Sequence, residues 1–196
     1  MTAPVGLLTL QGDHEKHRLA FAALGRETRG VRRPAELDGV SCLVIPGGES
    51  TTLTRLIDRA GLRAPLQAFA AERPVLGTCA GLIMLATRLE GESRTDFGVD
   101  PLGLLDCTVQ RNGYGRQIDS FTAPVGIAGL DGSAAAFAAV FIRAPRIVAV
   151  GPAAETVVSH RDEPVAVRQG RLLGLTFHPE LTADLRVHRA FLDLVG

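Results

Sequence analysis

Three side chains in this sequence have the types and surroundings needed for nucleophilic attack on a carbonyl carbon. The first is Cys79, in Gly77-Thr-Cys-Ala-Gly81, between an apolar strand-like run and an apolar helix-like run. The flanking glycines let the backbone turn sharply, and a thiol at a helix N-terminus favours the reactive thiolate. Because a lone cysteine is more often a buried structural residue, the assignment depends on partners elsewhere.

Candidate partners for the thiol stand near the end of the chain, in Phe177-His178-Pro179-Glu180. An imidazole can move the proton of the thiol, and a carboxylate can fix the tautomer and orientation of the imidazole. His178 and Glu180 project to the same side if the backbone is extended, and Pro179 stiffens it between them. A hydrogen-bonded core histidine is the plainer interpretation of His178 alone, but the combination with the cysteine turn predicts a Cys79–His178–Glu180 triad.

The elements that must position this triad follow an alternating strand–helix pattern over the first 90 residues. Such alternation predicts an α/β fold in three layers, with a mostly parallel central sheet and helices on both faces, as in flavodoxin-like folds. Between residues 104 and 177 the runs are short and strand-like, which predicts added antiparallel strands at the sheet edge or in a flanking layer. A helix over Thr182–Val195 closes what we predict to be one domain spanning residues 1–196. The predicted early strands are Val5–Leu10, Val40–Ile45 and Pro74–Gly77.

A second feature at a strand end is the loop Pro46-Gly-Gly-Glu-Ser50. In open α/β sheets, ligands bind at the carboxyl ends of the strands, where the cysteine turn and the histidine are also predicted. Backbone N–H groups of a Gly-Gly turn can stabilise a developing oxyanion. An ordinary strand-to-helix turn with Ser50 as N-cap remains the alternative for this loop taken alone.

The composition of the chain argues against several classes of protein, among them nucleic-acid-binding, membrane-binding, disulfide-rich and zinc-binding proteins. The chain of 196 residues has 21 basic and 21 acidic residues, which gives no bulk charge to attract nucleic acid or an anionic membrane. The N-terminus shows no leader pattern, so we expect a cytoplasmic protein. Three cysteines without paired spacing predict neither a disulfide framework nor a zinc site, and Cys42 and Cys107 read as core residues. His14 and His17 lie three apart on the first predicted helix, where a solvated helix face is expected rather than a metal site.

Taken together, these motifs resemble the class I, triad-type glutamine amidotransferases, and within them the glutaminase subunits of pyridoxal 5′-phosphate synthases. The likeness extends from about Val5 to the last helix. The cysteine turn and His-Pro-Glu are shared by many amidotransferases, whereas the blocks at 111–121 and 140–145 are more specific. The matching segments are Leu10-Gln-Gly12, Ile45-Pro-Gly-Gly-Glu-Ser-Thr-Thr52, Gly77-Thr-Cys-Ala-Gly-Leu-Ile83, Arg111-Asn-Gly-Tyr-Gly-Arg-Gln-Ile-Asp-Ser-Phe121, Val140-Phe-Ile-Arg-Ala-Pro145 and Phe177-His-Pro-Glu-Leu181.

The resemblance implies a role for each matching position. Cys79 would attack the side-chain amide of L-glutamine, His178 would act as base and then acid, and Glu180 would orient His178. Backbone N–H groups at Gly48 and Ala80 would form the oxyanion hole. The glutamine site would comprise Gly48, Glu49, Ser50, Arg111, Ile142 and Arg143.

The resemblance also implies a partner. A synthase subunit in a large hetero-oligomer would receive the ammonia, with Gln11 and Gly12 near the contact. No metal or organic cofactor is implied for this chain, because pyridoxal phosphate would be the product of the partner.

Four departures from the usual pattern are expected to lie away from the triad. The chain has Glu15-Lys16-His17 where Glu-His is usual, Tyr114 where Phe is common, a longer segment at Glu90–Pro101 and an unfamiliar Glu27–Gly30. The first departure lies on the first predicted helix and bears on partner docking. Two alternatives to the leading interpretation remain: another class I amidotransferase or γ-glutamyl hydrolase, and a non-enzymatic module whose thiol senses oxidation.

Overall fold

The computed structural model describes residues 3–91, 98–111, 113 and 120–195, and its core is a seven-stranded sheet. Across the described residues the strands are β1 (Val5–Leu8), β2 (Thr28–Val31), β3 (Cys42–Ile45), β4 (Val75–Thr78), β5 (Ala86–Leu89), β6 (Leu105–Gln110), β7 (Phe121–Gly126), β8 (Ala136–Phe141), β9 (Arg146–Val150), β10 (Glu155–His160), β11 (Glu163–Gln169) and β12 (Leu172–Leu175). The helices are α1 (His14–Ala23), α2 (Ser50–Arg59), α3 (Arg63–Glu72), α4 (Ala80–Leu85), α5 (Ala128–Asp131) and α6 (Arg186–Asp193).

The strand order of the main sheet is β10-β11-β12-β4-β3-β1-β2. The five strands from β12 to β2 are parallel to one another, and β11 and β10 are added antiparallel at one edge. A three-stranded sheet (β5-β6-β9) and a hairpin (β7-β8) flank it. The prediction of a mostly parallel α/β sheet with added antiparallel strands is therefore confirmed.

Both faces of the main sheet are covered, as the continuous apolar runs of its strands require. Along β3, Leu43 and Ile45 pack with residues of α2, α3 and α4, whereas Cys42 and Val44 pack with residues of α1 and α6. The second face is also covered by β7 and β8, through Phe137 and Phe141 among others. The strand period of two thus divides the core into two layers, with helices on both faces of the sheet as expected.

Some elements differ from the sequence-based expectations. β2 has only one buried residue, Val31, so its sequence carries little strand signal. The closing helix begins at Arg186 rather than Thr182, because Pro179–Leu181 forms a 3₁₀ turn and the hydroxyl of Thr182 accepts from the Asp184 backbone instead. Strand β10, at one sheet edge, pairs with β11 through two register shifts.

Several expectations concern residues outside the described part of the chain. Tyr114 lies there, as do residues 92–97 of the Glu90–Pro101 segment and most of the 111–121 block. Among the helices that the structure describes, none has the length and apolar character needed to cross a bilayer.

Candidate active site

Cys79 lies at the turn between β4 and α4, as its glycine-flanked position predicted. Its backbone has φ 51° and ψ −105°, a conformation that non-glycine residues seldom adopt and that is concentrated at functional turns. Gly81 lets α4 start directly against the sheet, since a Cβ there would clash with the carbonyl oxygen of Ile45. The Cys79 side chain is 7% exposed, and its Sγ lies 3.8 Å from the carbonyl oxygen of Ile142.

His178 reaches the same place from the end of β12. The backbone N–H of Cys79 donates to Leu175 O (2.9 Å), which fixes β12 beside the cysteine turn. Three residues on, the backbone N–H of His178 donates to Val140 O (2.8 Å) and so ties this segment to β8. A Cβ on Gly47 would clash with the His178 ring and lie 3.3 Å from Cys79 Cβ, so this glycine leaves space for both side chains.

Glu180 contacts His178 by a route that differs from the expected one. The sequence suggested an extended backbone across Pro179, but Pro179–Leu181 is a 3₁₀ turn that begins as soon as His178 ends the extended segment. The turn folds the carboxylate back, and His178 Nδ1 lies 2.7 Å from Glu180 Oε1. Glu180 is 5% and His178 8% exposed. The predicted neighbours are therefore together, although the reason given for their alignment was wrong.

The electrostatics of this pair favour an ionised couple. Burial opposes the charged imidazole, but hydrogen bonds with Cys79 and Glu180 outweigh it and raise the pKa of His178 to about 10. Burial likewise opposes the charge of Glu180, yet the hydrogen bond from His178 and the proximity of His17 hold the pKa of this carboxyl below its usual value. An imidazolium held between a carboxylate and a thiol stabilises negative charge on the sulfur.

A cavity of about 430 Å³ opens above these side chains, a volume suited to a small ligand. All six residues expected to bind glutamine line it, together with Cys79, Ala80 and His178. Four other lining residues had no role assigned from the sequence: Gly47, Ile83 and Leu181 belong to the matching segments, and Asp13 directly follows one. The complete lining set is Gly12, Asp13, Gly47, Gly48, Glu49, Ser50, Cys79, Ala80, Ile83, Arg111, Ile142, Arg143, His178 and Leu181.

Two charged side chains face each other at this cavity. Glu49 is the N-cap of α2, where its carboxylate accepts from the backbone N–H groups of Thr51 (3.0 Å) and Thr52 (2.6 Å). Partial burial opposes its charge, but hydrogen bonds from the hydroxyl and backbone groups of Thr52 and Thr51 lower the pKa of Glu49 to about 2. The guanidinium of Arg111 lies 3.8 Å from the same carboxylate. Ser50 is thus the first helical residue, and the alternative in which Ser50 is the N-cap of a plain turn is wrong on that point.

Gln11 and Gly12 lie against the Gly47–Gly48 loop. The Gln11 side chain accepts from the backbone N–H of Glu49 (3.2 Å) and donates to the carbonyl of Glu49 (3.3 Å). This pair of bonds holds the loop in place beside the cavity that Gly12 lines. Gln11 therefore stabilises a loop within the subunit, in addition to the partner contact that the resemblance implies.

One expectation about the histidines is wrong. His17 was expected on a solvated helix face, but α1 turns it towards the sheet, where it is fully buried. Its ring contacts Glu180, Thr78 and His188, the last also fully buried on α6. The signal available was the spacing of His17 with the apolar Ala20 and Phe21, which are the other buried residues of α1.

The fold and the site define the class. A thiol turn and a histidine–glutamate pair at the carboxyl edge of this mostly parallel sheet characterise class I glutamine amidotransferases. A solved structure described as a glutamine amidotransferase superposes with a TM-score of 0.89 at 41% identity, covering 98% of each chain. More distant is the structure of PurLQS from Thermotoga maritima, with a TM-score of 0.71 at 14% identity over the full length of both, a likeness of fold alone.

Within that class, the chain belongs to the SNO glutamine amidotransferase family, whose model matches residues 7–195. It is 54% identical to the pyridoxal 5′-phosphate synthase subunit PdxT of Deinococcus radiodurans, over 98% of this chain and 97% of that protein. It is 50% identical to the subunit of the same name from Geobacillus thermodenitrificans, over 97% of this chain and 94% of that protein. The family expected from the motifs is confirmed.

Proposed function

We propose that this chain is the glutaminase subunit of a pyridoxal 5′-phosphate synthase, hydrolysing L-glutamine to L-glutamate and ammonia. The observation that carries the proposal is the His178–Glu180 pair at 2.7 Å, beside Cys79 on the wall of one cavity. Membership of the amidotransferase family supports the substrate, and the names of the relatives support the synthase.

The proposed chemistry proceeds in two halves. The sulfur of Cys79 attacks the side-chain amide carbon, forming a C–S bond and an oxyanion. When the oxyanion collapses, the C–N bond breaks, His178 gives its proton to the nitrogen, and ammonia leaves a thioester behind. Water then attacks the thioester, His178 takes up its proton, and the C–S bond breaks to release glutamate. Glu180 keeps His178 in the required tautomer throughout.

The backbone of Gly48 and Ala80 is proposed as the oxyanion hole, because both residues line the cavity around Cys79. A donor of this kind typically stabilises the transition state by about 3 kcal/mol. Ala80 is the first residue of α4, so the helix start adds a favourable dipole.

For substrate binding, we assign the zwitterionic end of glutamine to the charged wall of the cavity. Glu49, ionised well below neutral pH, would accept from the ammonium group, and Arg111 or Arg143 would donate to the carboxylate. Gly48, Ser50 and Ile142 would complete the wall. Glu49 and Arg111, 3.8 Å apart, have charges of opposite sign to the ammonium and carboxylate groups of a free amino acid.

The ammonia would pass to a synthase subunit in a larger hetero-oligomer, with Gln11 and Gly12 near the contact. In this proposal, residues 1–196 form a single amidotransferase domain and the protein is cytoplasmic. The glutaminase reaction requires neither a metal nor a cofactor in this chain. A synthase subunit that contacted Gln11 would also affect the Gly47–Gly48 loop, because the Gln11 side chain is hydrogen-bonded to the backbone of Glu49.

The test is ammonia release from glutamine by this chain mixed with the synthase subunit from the same source. Wild-type protein should release ammonia, and Cys79→Ala should abolish it while keeping the same thermal melt. Absence of ammonia from the wild-type mixture, or undiminished release by Cys79→Ala, would refute the proposal. Release without stimulation by the synthase subunit would favour a stand-alone γ-glutamyl hydrolase or another amidotransferase, and a thiol that only reacts with oxidant would favour a sensing module.

A further inference from the structure

Behind the triad lies a second, fully buried pair of imidazoles that the chemistry above does not use. His17 on α1 and His188 on α6 are both 0% exposed, and His17 Nδ1 lies 3.1 Å from His188 Nε2. On its other side, His17 Nε2 lies 3.4 Å from Glu180 Oε2 and 3.4 Å from the hydroxyl of Thr78. The pair is therefore continuous with the carboxylate that holds His178.

The two carboxylate oxygens of Glu180 have different surroundings. Oε1 accepts from His178, whereas Oε2 accepts no well-formed hydrogen bond from the described residues and has His17 Nε2 at a long 3.4 Å. A buried carboxylate with one unsatisfied oxygen is costly, so a small approach of His17 would be favourable. His17 is thus placed to hold the second oxygen.

The proton positions follow from these contacts. If His17 Nε2 carries its proton towards Glu180, then His17 Nδ1 must accept, and His188 Nε2–H is the donor. His188 Nδ1 is then bare, in agreement with the finding that it has no hydrogen-bond partner among the described residues. Burial, the largest effect, lowers the pKa of both His17 and His188, which keeps both rings neutral as this arrangement requires.

We propose that His17 is a positioning residue for the thiol triad: it holds the second carboxylate oxygen of Glu180, and His188 fixes the tautomer of His17. The carboxylate is then clamped between two imidazoles and keeps the orientation in which it accepts from His178. This inference rests on the proposed glutaminase function. Partners outside the reacting groups that orient a catalytic imidazole elsewhere, as around metal-bound histidines, change activity by about 10- to 100-fold.

Packing alone does not account for this pair. The ring of Phe21 packs edge-on against His188 and also contacts Phe191, so the site is apolar enough for a third hydrocarbon side chain. Burying two imidazoles there without a polar purpose would cost desolvation free energy. The charged or titratable groups near His17 are Glu180 and His178 from the turn, His188 from α6, and Asp13 and His14 from its own helix.

The test compares two substitutions at one position. His17→Leu removes the donor, and we expect kcat for glutamine hydrolysis in the synthase complex to fall about 10- to 100-fold with KM unchanged. His17→Gln places an amide N–H near the position of Nε2 and should restore kcat to within a few-fold of wild type. The acid limb of the kcat–pH profile should move to higher pH in His17→Leu, because Glu180 loses a partner for its charged form, and should return in His17→Gln.

An independent readout uses the isolated chain. Iodoacetamide should alkylate Cys79 selectively, because Cys42 and Cys107 are only 0% and 2% exposed. The midpoint of the alkylation rate against pH should be higher in His17→Leu than in wild type. The packing control is Val187→Ala, which removes buried methyl groups beside His188 without a polar atom; it should lower thermal stability and leave both pH midpoints in place. An active wild type with His17→Leu unchanged in kcat and midpoint overturns this inference alone, whereas an inactive wild type overturns the proposed function.

Discussion

Glu180 is the residue on which the charge balance of the site depends. It is almost fully buried, and its ionised form is stabilised by His178 and, more weakly, by His17. Substitution by Gln keeps the shape of the side chain, but it removes the negative charge and lets the amide hold His178 in the wrong tautomer.

For Glu180→Gln we expect kcat to fall by about 10⁴-fold, as is typical when a triad carboxylate is replaced by its amide. Glutamate formation in the synthase complex gives kcat, and a thermal melt checks folding. Glu155→Gln is the matched control, since Glu155 pairs with Arg168 at the surface with 61% of its side chain exposed. Equal kcat values for Glu180→Gln and wild type would contradict the assigned role.

Among the elements, the elbow between β4 and α4 has the least room for change. Gly81 lies against the Ile45 carbonyl of the neighbouring strand, so α4 can approach the sheet only without a side chain at that position. The strained backbone of Cys79 depends on this approach, because the surrounding packing has to hold its positive φ.

Gly81→Ala should therefore lower the free energy of unfolding by about 1–3 kcal/mol or more, the usual cost of overpacking. Denaturant unfolding measures it, alongside the rate of Cys79 alkylation. Gly126→Ala in β7 is the control, because a Cβ there meets nothing within 4 Å and the φ is not positive. Indistinguishable unfolding midpoints for the two variants would show that the elbow tolerates a larger residue.

Local sequence predicted the elements that carry strong local signals. The apolar runs of β3 and β4 and the glycines around Cys79 indicate their structure without reference to the rest of the chain. β2 was missed because a central Arg-Gly pair hides its one buried residue. The spacing of His17 with Ala20 and Phe21 indicates the buried face of α1. The contact of His17 with His188 depends on how α1 and α6 meet over the sheet, and no local pattern shows it, because the two residues are 171 positions apart.

The molecule as a whole should be sensitive to acid through the buried imidazoles. Burial, followed by the proximity of His17, lowers the pKa of His188 to about 3. Between that value and the ordinary 6.5, the unfolded chain binds more protons than the folded one, so stability falls as pH falls through this window. His17 shifts in the same direction.

His188→Phe should flatten this dependence. Each neutral buried histidine costs up to about 1.4 kcal/mol of stability per pH unit below its unfolded pKa, so the loss between pH 7 and pH 5 should shrink by about 2 kcal/mol. Guanidinium unfolding at the two pH values measures the difference. Val187→Ala, which alters packing alone, should keep the wild-type difference, and a His188→Phe protein with that same difference would contradict the prediction.

The two outer strands of the main sheet bear on aggregation. An unpaired strand edge invites pairing with the edge of another molecule, and natural sheets discourage it with short strands, charge and bulges. β2 is four residues long and exposes Arg29. β10, at the opposite edge, carries two register irregularities that break a regular row of backbone groups. Both edges thus resist strand-to-strand association between copies, so substitution of Arg29 by a β-branched apolar residue should promote turbidity on concentration.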